Sequence, residues 1–527
     1  MISPFAIADW IVMAGYVALL FFSGWWFAPR GMSDTRGYFL ADGQLPVWLA
    51  AISVLTATQS AATFLGGPDY GYRGDLTYLG SSLGALIGAV IVARLLIPRF
   101  YAAGVSTVYE LLEQRFGAAA SKAAGILFLV GRILAAGARV YLAAIAVSMV
   151  IFATVNAHDV ILSALLIVVA SFAFTVFGGL RSVVWNDLIQ FVLFIGAAIG
   201  VLIYLRLAIP LSTPQILDAL RHAPGGQDKL RLIDWSWDTT HAFSLPAVIT
   251  GVALLYVGNS GLDQDTTQRL LACRDAKAGA KSLYWSVAAT LPVTFLFIAI
   301  GLLLSIHYNR PDLVGANGRQ VASSFGGQQI TVFMHYILTE LPPGLRGLTT
   351  VGVIAAAVAT TNSALNAMAS VLVQDIYRPW RMQRGGASER HFVSAGRAAM
   401  AVTGAATFGT AALSYYWQQS TSMPLLEFAL SVMTFAYAGL LGVYFTATLT
   451  PRGNSASAIV ALIAGFVVIL VLQPYIASAL GLPDALRHLA FPWQLCIGTI
   501  CATFICLAGA PVAPQPVLRG HYVDRDR

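Results

Sequence analysis

The chain has 527 residues, 57% of them hydrophobic and only 10% charged, with a mean hydropathy of +0.73. Soluble domains carry about a quarter charged residues, so this composition excludes an ordinary soluble domain and points to a polytopic membrane protein. The formal charge of +7 does not point to nucleic acid, because the basic residues sit mostly in short loops between apolar runs, where they set topology.

Taken in order, the apolar runs long enough to cross a bilayer fall near 6–28, 46–67, 76–98, 123–152, 158–178, 183–206, 242–262, 283–306, 345–374, 394–415, 424–449, 455–478 and 489–510. That is an all-α protein of about thirteen transmembrane spans. The first run has no basic stretch before it and no small-residue cleavage site, so it reads as a retained span and not a signal peptide. Arg30, Arg36, Arg99, Arg115, Lys122, Arg181, Arg269, Arg274, Lys277, Lys281, Arg378, Arg381, Arg384, Arg390, Arg452 and the tail arginines fall on one side. The short loops opposite carry only Arg73 and Arg487. The expectation is an N-terminus outside and a C-terminus in the cytoplasm. Loops 207–241 and 307–344 are the only sizeable extramembrane pieces. A short outer-face helix is expected within 325–341, and disorder in the tail from Pro511. The four cysteines have no disulfide, redox or metal pattern, and the eight histidines no ligand spacing.

Chemistry is concentrated in four places. Between Leu49 and Asp75 a span is interrupted near mid-bilayer by Thr56, Thr58, Gln59, Ser60 and Thr63. Hydroxyls can bond back to their own helix, but five polar side chains in eight positions read better as an opened helix lining a site. Arg132 and Arg139, seven residues apart, share one face of the fourth span. Arg132 can snorkel or pair; Arg139, near mid-span, needs an anion, which is either a protein carboxylate or a substrate carboxylate held by a bidentate clamp. Asp187 lies a turn inside the sixth span, near Arg181. It is either a favourable helix-start carboxylate or a functional intramembrane one. In the ninth span Ala356, Ala359, Thr360, Asn362 and Ser363 combine small residues with oxygens, reading as close helix packing or as an ion site for a hard cation.

The stretches YFLADGQLPVWLAAISVLTATQSAATFLG, FGGLRSVVWNDLIQ, GLDQDTTQRLLACRDAKAGAKS and AAAVATTNSALNAMASVLVQDIY together resemble the motifs of the sodium:solute symporter family, in order from about residue 36 to 450. The resemblance implies a LeuT-like fold of two inverted five-helix repeats. Here they would be 46–206 and 242–449, with an extra span at 6–28, two more within 455–510 and a cytoplasmic tail at 511–527. It also implies a main Na⁺ site from the carbonyls of Thr56, Gln59 and Ala356 with the side chains at 359 and 360. Ala359 stands where the family usually has a hydroxyl. A second Na⁺ site would use Asp187, Asn362 and Ser363, with Thr360 as a further candidate. Thr58, Ser60, Thr63 and Arg139 match positions that the sialic acid branch uses around a carboxylate, and Tyr78 and Ser82 would complete the pocket. Asp263, Gln264 and Arg269 fall in a motif whose role is read as structural, and Glu427, near the outer face, reads equally as a solvated helix start or as a gate.

The resulting expectation is a secondary active transporter of the inner (plasma) membrane, moving Na⁺ with a small organic solute by alternating access, preferably an organic anion (sialic acid-like or another carboxylate) or an amino acid. It is not expected to be an enzyme or to need a partner beyond solute and bilayer. Two alternatives stand: proton coupling through Asp187, and a solute sensor that signals through another protein.

Overall fold

Helices occupy every predicted apolar run in the computed structural model, which describes residues 5–27, 34–176, 178–315, 324–325, 328–419 and 425–511. Arg30 and the tail beyond residue 511 lie outside the described residues. In chain order the elements are α1 (Ile7–Phe27), α2 (Thr35–Leu40), α3 (Val47–Thr58), α4 (Ala61–Arg73), α5 (Thr77–Ala103), α6 (Glu110–Phe116), α7 (Ala118–Ile151), α8 (Ala157–Thr175), α9 (Gly179–Ala208) and α10 (Thr213–Arg221). There follow α11 (Leu245–Leu262), α12 (Gln264–Leu271), α13 (Ala276–Asn309), α14 (Val332–Thr339), α15 (Leu345–Gln383), α16 (Glu389–Gln419), α17 (Leu425–Leu449), α18 (Ser455–Val471) and α19 (Phe491–Leu507).

Among the described residues seven helices are long and apolar enough to cross a membrane, or eight if the bent pair α3 and α4 is one span. Shorter apolar stretches in α1, α8, α18 and α19, together with the 31-residue α16, fill the other predicted runs. The expected outer-face helix is α14, preceded by a two-residue strand pair, Ser324–Phe325 with Gln328–Gln329.

The polar row of the second span breaks the helix where the sequence predicts. α3 and α4 meet at 66°, and Gln59 and Ser60 between them are extended. Ser60 caps the new helix, its hydroxyl accepting from the Ala62 N–H. The bland reading holds as well, for Thr56 and Thr58 donate back to the Ile52 and Leu55 carbonyls at 2.8 Å.

A second break was not foreseen. α11 ends at Asp263, which is extended and caps α12 through the Asp265 N–H. The opening helix of each group of five, α3/α4 and α11/α12, is thus interrupted. α4 packs tightly on α13 at Gly301, where a Cβ would stand 2.0 Å from the Pro68 carbonyl; only glycine permits that approach. α15 is buried along most of its length, against α9, α7 and α8.

Candidate functional site

The break at Gln59–Ser60 opens onto a small cavity of about 60 Å³. Thr58, Gln59, Ser60 and Thr63 from the break, Tyr78 and Ser81 from α5 and Arg139 from α7 form its polar wall. Five of the six residues expected around a solute are therefore together. Ser82 is the exception: its neighbour Ser81 lines the cavity. The 3₁₀ turn at Thr77–Gly80 advances the chain at a different angle per residue from an α-helix and sets Ser81 inward. Residues not singled out in the sequence complete the lining: Tyr256 and Asn259 on α11, Thr290 and Thr294 on α13, Met433 on α17. The spacing of Thr290 and Thr294, four apart in an otherwise apolar run, was the legible signal there.

Arg132 and Arg139 have opposite surroundings. Arg132 is buried against two carboxylates: Nη1 donates to Asp263 Oδ2 at 2.9 Å and Nη2 pairs with Asp265 Oδ2. The Tyr437 hydroxyl adds a bond to Asp263 at 2.6 Å. Arg139, 8% exposed, has no carboxylate within ion-pair distance among the described residues; its Nη2 reaches only the Met433 Sδ, at 2.8 Å. A guanidinium held out of water beside a cavity, with no counter-ion from the protein, is arranged to receive one.

The oxygens expected around a hard cation lie on the opened helix and on α15, two elements that pack on each other. The last backbone bond of α3 runs from the Gln59 N–H to the Leu55 carbonyl, and α4 begins with the Thr63 and Phe64 N–H groups on the Ser60 carbonyl. The carbonyls of Thr56 and Gln59 fall in the gap between. Gln59 Oε1 is buried without a hydrogen-bond partner among the described residues. On α15, Thr360 Oγ1 donates to the Ala356 and Ala357 carbonyls at 3.0 and 3.1 Å, leaving its lone pairs free. Ala359 is fully buried and contributes no side-chain oxygen. These donors are all oxygens, as Na⁺ requires, and the orphaned Gln59 side-chain oxygen adds another at the break, so the residue chemistry fits.

The second expected ion set is divided. Asp187 Oδ2 accepts from Ser53 at 2.5 Å and from Arg269 Nη2 at 3.0 Å. Arg269 Nη2 also donates to Ser363 Oγ at 2.5 Å. The amide of Asn362, oriented to satisfy its neighbours, donates to the Ser171 carbonyl and Thr175 of α8. The carboxylate's ion partner is therefore Arg269, from 82 residues away, and not nearby Arg181. Through Asp265, which bonds both Arg269 and Arg132, one buried network joins α3, α7, α9, α12 and α15. Asp187 Oδ1 has no partner among the described residues.

On the side facing loop 207–241 the cavity is separated by Phe243 and Leu426 from a vestibule of about 600 Å³, both residues lining both spaces. The Phe243 ring lies 4.8 Å from that of Tyr78. Asp69, Arg73, Asp75, Arg231 and Glu427 line the vestibule, so Glu427 faces a charged pocket and not open solvent. Asp234, in the loop, is held below the ordinary carboxylate value: burial alone would raise it, and hydrogen bonds from Ser236 and His241 overcome that.

A broken-helix bundle with a mid-membrane cavity and a cation-type oxygen set defines a secondary-transporter architecture. The sodium:solute symporter family model matches residues 38–465, and the chain belongs to that family. It is 24% identical over 469 residues to the sodium/sialic acid symporter SiaT of Proteus mirabilis, covering 88% of this chain and 89% of that protein. It is 27% identical over 477 residues to the human sodium-coupled monocarboxylate transporter 1, covering 89% and 73%. Among solved structures, a substrate-bound, outward-open Na⁺-coupled sialic acid symporter superposes with a TM-score of 0.79 at 23% identity, covering 97% of this chain and all of that one. The fold is the expected LeuT-like five-plus-five inverted repeat with flanking helices.

Proposed function

We propose that this protein is a Na⁺-driven symporter of a small organic carboxylate. The observation that carries the reading is Arg139: buried, lining the cavity, and without a carboxylate partner among the described residues. The hydroxyls of Ser60, Thr63, Tyr78 and Ser81 supply further donors to the same anion, and Thr58, whose proton is held by the Leu55 carbonyl, lines the wall beside them. Among the described residues no Asp or Glu lines the cavity, so a substrate ammonium would find only neutral partners; this favours an anion over an amino acid. Na⁺ is cargo at the oxygen set of Thr56, Gln59, Ala356 and Thr360, which spans the opened helix and α15. Holding those two elements together is how Na⁺ binding would favour one conformation and so the solute's affinity.

With Asp187 and Ser363 taken up by Arg269, and Asn362 turned to α8, the reading is one Na⁺ site. The repeats run over 46–206 and 242–449, and the chain sits in the cytoplasmic membrane with its N-terminus outside. The vestibule then faces outward and the Arg132–Asp263–Asp265–Arg269–Asp187 network closes the inner side. No catalysis is proposed. A second reading rests on Asp187 Oδ1, buried and unpartnered, which suits a proton in place of Na⁺.

The test is uptake by the reconstituted protein in liposomes. Under an inward Na⁺ gradient, labelled carboxylates (pyruvate, benzoate and sialic acid) are compared with amino acids and sugars. Na⁺-driven accumulation of a carboxylate, lost in Arg139→Gln, is expected. Accumulation driven by a pH gradient alone would transfer the role to Asp187. Binding without uptake under either gradient would favour a sensor.

A further inference from the structure

The cytoplasmic ends of α15 and α16 enclose a groove of about 760 Å³, well away from the transport cavity. We propose that it is a binding site for one anionic phospholipid of the inner leaflet.

Two facing stripes build it. On α15, Leu372, Val373, Ile376, Tyr377 and Trp380 share one face, across the π-helical turn Leu372–Tyr377. On α16, Ser394, Ala395, Ala398, Ala399 and Val402 recur at helical spacing. Small residues on one wall and large ones on the other leave a trough instead of a packed seam. It opens to the lipid side: Val402 is 64% and Trp380 44% exposed. Trp and Tyr are the residues that prefer headgroup depth.

One end of the trough is basic. Lys122, from the start of α7, lines it, as does His391. The Arg384 guanidinium lies 4.3 Å above the Trp380 ring. Lys122 and Arg384 form no ion pair among the described residues, whereas Arg378 pairs with Glu389. The connecting segment 378–390 carries four arginines and that single glutamate. An apolar trough ending in unneutralised cations matches acyl chain plus anionic headgroup, and a zwitterionic headgroup would gain less there.

Native mass spectrometry of the full chain, carried in micelles doped with equimolar phosphatidylglycerol and phosphatidylcholine, tests this. The wild type should retain one phosphatidylglycerol with a preference of about thirtyfold, the ~2 kcal/mol that two basic groups near the headgroup supply. Lys122→Gln with Arg384→Gln should abolish the preference. Ala398→Trp, at an exposed position on the trough wall, should abolish retention, while circular dichroism confirms the helix content of both variants. Equal retention of the two lipids by the wild type would mean ordinary annular contact and overturn the proposal. So would an unchanged preference in both variants. A lipid-free dimer, with a second copy seated on the groove, would overturn it as well.

Discussion

Arg132 and Arg139 are two turns apart on one face of one helix, yet they occupy opposite electrostatic situations. Arg132 is held by Asp263, Asp265 and, through Asp263, Tyr437. Arg139 has a thioether and a cavity. A buried charge is tolerated when something neutralises it. For Arg132 that something is folded into the chain. For Arg139, on the proposed function, it would be supplied from outside, and the transport cycle would supply and remove it. Identical side chains on one helix face thus differ in whether the protein itself supplies a counter-ion.

Substitution by a neutral residue of similar length should expose this difference. Arg132→Met leaves two buried carboxylates facing each other, and loss of one partner from a buried pair costs about 3–5 kcal/mol. The variant should express poorly and melt well below the wild type in detergent, as followed by thermal unfolding fluorescence. Arg139→Met removes a charge that has no carboxylate partner among the described residues. Its melting temperature should be unchanged or raised, while carboxylate uptake falls at least about 100-fold, a loss of about 2.7 kcal/mol of binding. A parallel loss of stability in both variants would mean that Arg139 has a structural partner after all and would break the comparison.

How much of this was legible follows from which interactions are local. The opened helix at Thr56–Thr63 could be read because polar residues clustered in an apolar run betray themselves by composition. The oxygens of Thr360 and the depth of Arg139 were legible for the same reason. The break at Asp263 was not, since GLDQD at the end of an apolar run looks like an ordinary helix exit. Asp187 was placed beside Arg181 by sequence proximity, but its partner comes from α12, and nothing in either segment encodes that meeting. Arg132 likewise finds its carboxylates 131 and 133 residues away. Sequence pattern shows that a charge is buried; only the fold shows what neutralises it.

The ion set offers smaller effects that sharpen the same contrast between permanent and supplied partners. Thr360→Val keeps the shape of α15 but deletes the side-chain oxygen proposed for the ion, and its hydroxyl is already tied to its own helix. Half-saturating Na⁺ should rise about tenfold, the ~1.4 kcal/mol expected of a lost interaction with a charged group, with maximal uptake at saturating Na⁺ little changed.

Ala359→Ser runs the other way and is the finest test. Position 359 is fully buried on the helix that carries Thr360, and the wild-type alanine brings no oxygen to the cation. A serine there has two outcomes open to it. Its hydroxyl can bond back to the Ala355 carbonyl one turn earlier, as Thr360 and Thr361 do with Ala356 and Ala357, which satisfies the donor proton and still leaves lone pairs for Na⁺. Half-saturating Na⁺ should then fall about threefold, since a new interaction of roughly 0.5–1.5 kcal/mol is partly offset by fitting the extra atom into a packed seam. If Na⁺ affinity instead stays fixed while Thr360→Val still weakens it, the cation sits on the Thr360 side of the break, and the alanine is a packing choice with no bearing on the ion.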